Sequence, residues 1–376
     1  MNRFTALAAA LLFLPLSAAF TAPAAAAEAT PAYRPLEDLR SFYKFIPLPQ
    51  PAERTRAVGN GAASLVFGPD ARDLSINGTR CILSHPVKDE VTGRDLQVSE
   101  TDWVKLIDPV LRPTYIANRR MVKTVVLDPG HGGHDAGAVT KQVREADVTL
   151  IIATKLAEEL RKRGFHVVLT HEQNQYMSDQ QRVDSTETAL NAVFISLHLN
   201  SGRSDRSGVE TYTVAPAAPG ERGIPGNEHD AANAALALAL QSSVVQACGA
   251  KDGACRRARY SLLSSLKCPA ALVALGYTTN EQEGAILATD AYQTRMAMAL
   301  ADGVSRFAAL MNPETILQNT AAPAPAEPEP AQPVKVEAGK VQPPAPAETT
   351  PKRGKRGSGT TDKKKAAGSR TPARRK

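Results

Sequence analysis

Two histidines and a glutamate stand at the edges of predicted regular elements. His131 follows an apolar run in the glycine-rich turn Asp128-Pro-Gly-His-Gly-Gly, and His198 comes near the end of a second apolar run. Glu145 opens an amphipathic helical segment between them. Imidazole and carboxylate are the usual protein ligands of catalytic zinc, which keeps three of them and one open position. The pattern therefore predicts a Zn²⁺ site at His131, Glu145 and His198 and indicates a metallohydrolase.

Each of these three residues also has an ordinary structural explanation. A turn such as the one around His131 forms for backbone reasons alone, and His198 could be a hydrogen-bonded histidine of the core. A carboxylate such as Glu145 is favoured in the first turn of a helix because it interacts with the helix dipole. The zinc hypothesis gains its strength from three suitable residues, each in a matching context, rather than from any one of them.

The elements that must position these residues alternate between strands and helices. Apolar runs predict strands at 125–127, 165–169, 193–197, 209–213 and 271–275, and helical periodicity predicts helices at 147–163, 179–191, 231–247 and 290–310. Repeated βα units favour an α/β fold, an open twisted sheet flanked by helices on both faces. Functional residues gather at the carboxyl ends of the strands in such sheets. His131 and His198 both occupy such positions. We assign this domain to residues 121–312.

A small β-rich domain is predicted ahead of it, at residues 33–119. Strands at 63–68 and 74–83 contain or flank the turn Asn77-Gly78, and Ser99 is placed to cap a short helix at 100–107. The block resembles the small β-rich modules related to the N-terminal domain of copper amine oxidases, which recur in envelope proteins. That resemblance implies a role in recognition or spacing.

Both ends of the chain have compositions that do not favour a folded core. Residues 1–27 combine a basic start, an apolar centre and the small residues Ala25-Ala26-Ala27, which is typical of a secretory signal peptide. An uncleaved N-terminal anchor is the alternative. A signal peptide would make the protein exported, and periplasmic or associated with the cell envelope.

Residues 313–376 are predicted to be a disordered tail, rich first in Pro and Ala and then in basic residues. From Lys352 onward the tail holds eleven Lys and Arg against Asp362 alone, whereas the whole chain has a net charge of +7. The basic character of the chain is thus a property of the tail. In an exported protein we expect such a tail to meet anionic envelope polymers or a membrane surface, and no specific nucleic-acid binding. A solvated tether without a partner remains an alternative.

The four cysteines are Cys81, Cys248, Cys255 and Cys268. None forms a C-x-x-C pair, which disfavours a cysteine-based zinc site. A disulfide between Cys248 and Cys255 would close a short glycine-containing loop, and an exported protein can keep it. Whether this disulfide forms stays open at the level of the sequence.

Several motifs in one order resemble the zinc-dependent N-acetylmuramoyl-L-alanine amidases, the peptidoglycan amidases with an α/β fold. They are Asp128-Pro-Gly-His-Gly-Gly with Asp135 and Gly137-Ala138, Glu145-Ala-Asp-Val-Thr-Leu, Arg182, Ile195-Ser-Leu-His-Leu-Asn-Ser and Gly208-Val-Glu-Thr-Tyr. The resemblance covers residues 123–310. It implies zinc ligands at His131, Glu145 and His198, peptidoglycan as the partner, and cleavage of the amide between N-acetylmuramic acid and the L-alanine of the stem peptide.

One position departs from the family. Its last motif reads Pro-x-x-Leu-Val-Glu-x-Gly-Phe, and that glutamate is the family's catalytic acid/base. Here the strand reads Pro269-Ala-Ala-Leu-Val-Ala-Leu-Gly-Tyr, so Ala274 occupies the position of the glutamate. General acid–base catalysis contributes about 10²–10⁴-fold, and a methyl group transfers no proton.

The identity of any replacement acid/base is unknown from the sequence. The candidates considered are Glu210, Glu281, Glu283, His134 and His229. Glu210 lies where the family already has a glutamate of a different role, and Glu281 and Glu283 suit the start of a helix. The resemblance therefore supports an amidase whose activity depends on an unidentified group. The alternatives are a catalytically impaired amidase fold that binds peptidoglycan or regulates other hydrolases, and a different zinc hydrolase such as a peptidase.

Overall fold

The computed structural model of the protein describes residues 31–52, 55–68, 72–89, 96–215 and 228–314. The predicted signal peptide at 1–27 and nearly all of the predicted tail at 313–376 lie outside these residues. The described part belongs to one compact unit, Met1–Ala322.

Fourteen strands occur within the described residues. They are β1 (Tyr33–Pro35), β2 (Ile46–Pro47), β3 (Arg56–Gly59), β4 (Ser64–Phe67), β5 (Asp73–Ile76), β6 (Thr79–Ile82), β7 (Lys88–Asp89), β8 (Leu96–Ser99), β9 (Thr124–Pro129), β10 (His166–Leu169), β11 (Ala192–Asn200), β12 (Val209–Val214), β13 (Asp252–Ala258) and β14 (Ala270–Tyr277).

The same part of the chain forms nine α-helices, with a π-helical turn at Trp103–Ile107 and a 3₁₀ turn at Pro113–Tyr115. The α-helices are α1 (Leu36–Tyr43), α2 (Glu100–Asp102), α3 (Asp108–Leu111), α4 (Glu145–Lys162), α5 (Asp179–Asp184), α6 (Asp230–Cys248), α7 (Ser261–Ser265), α8 (Glu281–Leu287) and α9 (Asp290–Met311).

Eleven strands form one sheet in the order β10-β9-β11-β14-β12-β13-β6-β5-β4-β3-β2, and β1-β8-β7 form a second, small sheet. Strands β10, β9, β11 and β14 run parallel, and β12 runs antiparallel to β14 but parallel to β13. From β6 to β2 the sheet is an antiparallel meander. The predicted α/β class, with a small β-rich region ahead of the main domain, is confirmed.

The two regions share this sheet, since β6 of the N-terminal region pairs with β13 through the register partners Cys81 and Cys255. Polar contacts reinforce the junction. The guanidinium of Arg257 donates to the carbonyl oxygen of Lys105 at 2.6 Å and lies 3.7 Å from the buried carboxylate of Asp102. Burial lowers the pKa of Arg257 and the negative charge of Asp102 opposes that shift.

Helices cover both faces of the parallel part. On one face α4, α6 and α9 pack over Leu127, Ile195 and Val273, all fully buried. The opposite face carries Phe194 and Leu272, with α7 packed against them. The alternation follows from strand geometry, because successive side chains point to opposite faces. Both faces being covered explains the continuous apolar runs in β9, β11 and β14.

Most of the elements predicted for this region are confirmed, with two differences. Helix α5 begins with a capping box between Ser178 and Gln181 but ends at Asp184, not at 191 as predicted. Strand β13 and helix α7 are not predicted by the sequence patterns, whereas α8 begins where Glu281 and Glu283 predict the start of a helix. Helix α6 is long and apolar enough to cross a membrane, but 61% of its apolar window is buried. It packs against α9 and β12 as a core helix.

Candidate metal centre

The structure brings His131, Glu145 and His198 together near the carboxyl ends of β9 and β11. One potential ligand atom from each lies within 4.8 Å of the other two. Glu145 Oε1 is 3.1 Å from His131 Nε2 and 3.1 Å from His198 Nδ1. Glu145 is buried at the start of α4, whereas the two histidines are partly exposed. The three side chains can therefore bind one ion, at a position that is open to solvent on the side of the two histidines.

The turn that presents His131 is held by a buried ion pair. His131 has φ +67°, a left-handed conformation that costs energy for a residue other than glycine. The buried guanidinium of Arg182 donates to the carbonyl oxygens of Pro129 at 2.8 Å and His131 at 3.1 Å. It also pairs with the carboxylate of Asp128, which is fully buried and accepts a hydrogen bond from Ser196 at 2.7 Å. This network fixes the turn against the ends of β9 and β11.

Further hydrogen bonds orient the candidate ligands. Asp135 Oδ2 lies 2.8 Å from His131 Nδ1, which leaves Nε2 of the ring directed at the site. Carboxylates commonly orient metal-binding histidines in this way. Glu145 accepts backbone N–H bonds from Ala138 and Leu199, each at 2.8 Å. Sequence patterns alone predict no role for Asp135, although its place four residues after His131 in a glycine-rich turn is a usable signal.

Glycines make room for the three side chains. A Cβ at Gly130 would lie 2.5 Å from His198 Cε1, and a Cβ at Gly137 would lie 2.5 Å from His131 Cδ2 and 2.6 Å from Glu145 Oε2. Such contacts are far inside van der Waals distance, so the backbone approaches the rings closely at these two positions. The donor set of two imidazoles and a carboxylate suits zinc, and the tight cradle fits a small ion held by three ligands.

The charges of the site are strongly coupled. The hydrogen bond to Glu145 is the main cause that raises the pKa of His131 to about 9, and Asp135 raises it further while burial opposes it. Burial alone would raise the pKa of Glu145, but bonds from His131, His198 and two backbone N–H groups lower it well below its usual range. Glu145 is therefore an anion across the physiological pH range, as a ligand of a cation must be.

Ala274 lies directly beside the candidate centre. It is the register partner of His198 on the neighbouring parallel strand and of Glu210 on the antiparallel strand β12. Register partners place their side chains on the same face of a sheet. The methyl group of Ala274 is 1% exposed and packs in the apolar cluster around Leu272. The position where the family carries its acid/base thus faces the centre but holds no proton-transferring group.

Glu210 is close to Ala274, but its carboxylate is fully engaged. Its Oε2 accepts from Asn200 Nδ2 at 2.8 Å, Tyr212 Oη at 2.7 Å and Tyr277 Oη at 3.3 Å, and its Oε1 lies 2.9 Å from Arg256 Nε. Four donors thus fix the carboxylate of Glu210, which gives it a structural role. Sequence patterns do not identify this network because it joins residues of four strands, β11, β12, β13 and β14.

The remaining acidic candidates lie beyond β14. Glu281 is the exposed first residue of α8, and Asn280 caps that helix by accepting from the N–H of Glu283 at 3.0 Å. The carboxylate of Glu283 accepts from the N–H groups of Gly208 at 2.9 Å and Tyr277 at 2.6 Å. Burial raises the pKa of Glu283 and these bonds oppose the rise. The segment thus starts a helix as predicted, but the side chain of Asn280 caps it and the carboxylate of Glu283 bonds elsewhere.

Neither histidine candidate belongs to the group of three. The ring of His134 stacks on Tyr176 with centroids 4.2 Å apart. His229 Nε2 lies 3.0 Å from the carbonyl oxygen of Lys267, and its side chain lines a cavity of about 750 Å³ with Ala192 and Pro269. That cavity lies at the amino ends of β11 and β14, the opposite edge of the sheet from His131.

Comparison with known proteins identifies the class. Residues 125–306 match the family model described as N-acetylmuramoyl-L-alanine amidase. Among similar proteins, the N-acetylmuramoyl-L-alanine amidase LytC of Bacillus subtilis is 29% identical over 184 residues, which are 48% of this chain and 34% of LytC. The germination-specific N-acetylmuramoyl-L-alanine amidase of the same organism is 26% identical, over 49% of this chain and 79% of that protein.

A solved structure with similarity is the catalytic domain of CwlV, an N-acetylmuramoyl-L-alanine amidase from Bacillus (Paenibacillus) polymyxa var. colistinus. It is 31% identical, has a TM-score of 0.44, and the match covers 50% of this chain and 98% of that domain. Through residues 125–306 the chain belongs to the N-acetylmuramoyl-L-alanine amidase family.

Proposed function

We propose that the protein is an exported, zinc-dependent N-acetylmuramoyl-L-alanine amidase that cleaves the amide between N-acetylmuramic acid and the L-alanine of the peptidoglycan stem peptide. The observation that carries this proposal is the convergence of His131, Glu145 and His198 to within 4.8 Å. A zinc ion held by these side chains would supply Lewis acidity, which polarises a carbonyl group and lowers the pKa of water.

The residues of the chain itself prepare that site. Asp135 fixes the ring orientation of His131 through the 2.8 Å contact with Nδ1. The backbone N–H groups of Ala138 and Leu199 hold both carboxylate oxygens of Glu145. Arg182 keeps the His131 turn in its left-handed conformation. These contacts preorganise His131 and Glu145, two of the three ligands, before substrate arrives.

Proton transfer is the step of the reaction for which the chain offers the weakest candidate side chains. Amide cleavage needs a group that accepts a proton from the attacking water and gives one to the leaving amine. Ala274 supplies neither, and Glu210 has its lone pairs engaged by Asn200, Tyr212, Tyr277 and Arg256. This observation favours a second candidate function, a catalytically impaired amidase fold that binds peptidoglycan or regulates other cell-wall hydrolases.

The wider assignments belong to the same proposal. We place the protein in the periplasm or at the cell envelope, with residues 1–27 as signal peptide, 33–119 as a small N-terminal domain, 121–312 as the amidase domain and 313–376 as a disordered tail. The excess of basic residues from Lys352 onward supports contact of the tail with anionic envelope polymers or a membrane surface.

The test digests purified peptidoglycan with the wild-type chain and with Ala274→Glu, and identifies the products by mass spectrometry. An amidase releases stem peptides that begin with a free L-alanine amine and leaves intact N-acetylmuramic acid. If wild type releases these products rapidly and Ala274→Glu adds nothing, the first candidate holds.

If wild type is nearly inactive and Ala274→Glu gains about 10²–10⁴-fold, the second candidate holds. Ala274→Gln is the matched control, because it adds similar volume without a titratable carboxyl group. Cleavage within the stem peptide by either form would contradict both candidates.

A further inference from the structure

Two cysteines face each other where the N-terminal strands join the amidase sheet. Cys81 on β6 and Cys255 on β13 are direct Cα register partners, and they are the pair through which these two strands are registered. They are 174 positions apart in the sequence. Neighbouring strands lie about 4.8 Å apart, within the Cα separation of about 4.4–6.8 Å that disulfides require.

The two thiols also share one environment. Cys81 is 0% exposed and Cys255 is 6% exposed, and both belong to the apolar cluster that includes Leu74 and Ala237. Contact with Cys81, together with burial, raises the pKa of the Cys255 thiol well above its usual value. Both thiols are free in this structure, and as register partners on neighbouring strands they lie on the same face of the sheet.

Cys248, the partner that the sequence analysis considered for Cys255, lies elsewhere. It is the last residue of α6, half-buried, and packs against the cluster around α4, α6 and α9. Cys255 lies in the cluster of the N-terminal region. The structure therefore does not support the pairing of Cys248 with Cys255, because the two free thiols pack in different clusters.

We propose that Cys81 and Cys255 form a disulfide that covalently joins the N-terminal β region to the amidase domain. The proposal rests on the proposed export of the protein, because a disulfide persists in an oxidising compartment. Neither residue is near the candidate metal centre, so the bond is a structural crosslink rather than a part of the site.

The chemistry is thiol–disulfide exchange with an external disulfide, either glutathione disulfide or an envelope disulfide oxidant. One thiolate attacks that disulfide, forms a mixed disulfide and releases one thiol. The second thiolate then displaces the remaining thiol and closes the Cys81–Cys255 bond. Two cysteine thiols are oxidised, and one external disulfide is reduced to two thiols.

The burial of both thiols determines the stage of folding at which the disulfide must form. A folded chain exposes neither thiol, and the raised pKa of Cys255 leaves little thiolate. We therefore expect oxidation during folding, before β6 closes on β13, and we expect the finished bond to resist reductants until the protein unfolds.

The deciding experiment refolds the reduced, denatured full-length chain in a glutathione redox buffer, blocks residual thiols with N-ethylmaleimide under denaturing conditions, and maps peptides without reduction. The expected result is a crosslinked pair of peptides that contain Cys81 and Cys255. Alkylation of both residues, or a link from either one to Cys248 or Cys268, would overturn the proposal. The same peptide mapping is repeated on the full-length chain, with residues 1–27 included, after expression in a bacterial host. This second measurement tests export separately from the pairing of the cysteines.

Thermal unfolding gives a second measurement. We expect the oxidised wild type to melt about 5–10 °C above the reduced form, and Cys81→Ala/Cys255→Ala to melt at one temperature whatever the redox buffer. Cys248→Ala is the matched control and should keep the redox-dependent difference. An equal melting temperature for oxidised and reduced wild type would count against a stabilising crosslink.

Discussion

Ala274 and Glu210 are register partners on antiparallel strands, so the only carboxylate on this face next to Ala274, among the described residues, is one whose acceptor sites are already engaged. The strand register thus distinguishes a structural glutamate from a catalytic acid/base, which a sequence comparison alone does not do. Glu210 is near enough to be considered as a replacement acid/base, yet Arg256 and three other donors fix its carboxylate.

Glu210→Gln tests this assignment. If Glu210 only organises the strands, any activity of the wild type should change by less than about threefold, while the melting temperature falls because Arg256 loses its partner. Activity is measured on peptidoglycan and stability by thermal unfolding. A loss of about 10²-fold or more at unchanged zinc content would instead assign proton transfer to Glu210.

His131→Ala tests the metal centre. Removal of one of three ligands should reduce bound zinc from about one equivalent to a small fraction, since catalytic zinc sites rely on three protein ligands. Zinc is measured by plasma mass spectrometry after dialysis. His134→Ala is the matched control, because His134 lies in the same turn but stacks on Tyr176. Equal zinc content in both variants would remove the support for the site.

Chelation of the metal should destabilise the forms of the protein that keep all three ligands. A ligand present at 100 times its Kd adds about 2.7 kcal/mol to the free energy of unfolding. We expect added zinc to raise the melting temperature of the wild type and of His134→Ala, and a chelator to reverse that rise. His131→Ala should respond to neither addition, and a zinc-dependent shift in this variant would place the ion elsewhere.

The buried pair of Arg182 and Asp128 predicts a large loss of stability on its disruption. Arg182→Met leaves the fully buried Asp128 carboxylate without its guanidinium, and such an uncompensated charge costs about 3–5 kcal/mol. Denaturant unfolding measures the loss. Arg203→Met removes an exposed pair with Asp205 and should have no measurable effect. Equal losses in the two variants would mean that burial is not the deciding factor.

His171 predicts an acid-sensitive stability. It is 3% exposed, and burial together with the positive charge of Arg182 lowers its pKa in the folded state. Below its unfolded pKa of about 6.5 the unfolded chain gains a proton that the folded chain excludes. Stability is therefore present above that pH and is lost as the pH falls toward the folded pKa.

His171→Gln should flatten the decline in the free energy of unfolding between about pH 6.5 and 5, which one such histidine can steepen by up to about 1.4 kcal/mol per pH unit. His166→Gln changes an exposed histidine at the start of β10, five residues before His171, and should leave the decline unchanged. A decline that persists fully in His171→Gln would assign it to other groups.

The parts of the fold that the sequence predicts are those with strong local patterns. Strands β9, β11 and β14 are continuous apolar runs, and α4 and α9 have helical periodicity, so their positions follow from the residues alone. Strand β13 has the sequence Asp-Gly-Ala-Cys-Arg-Arg-Ala, which has little strand propensity. It is a strand because β12 and β6 flank it, and that pairing is a tertiary effect.

The candidate site divides in the same way. Its three converging side chains follow from their places at element ends, and the absence of a carboxylate at Ala274 follows from the motif. The structural role of Glu210 does not follow from the sequence. It depends on the antiparallel register of β12 against β14 and on the contact of Arg256 on β13 with Glu210. Register between distant strands is set by packing and has no local sequence signal.

The shared sheet has a consequence for self-association. An amidase domain that ended at β13 would present an open strand edge, a template for pairing with another molecule. Here the ladder continues to β2, whose two residues are exposed and include Pro47, which has no N–H to donate. The N-terminal region thus ends the sheet in a short edge strand that is poorly suited to pairing with another molecule.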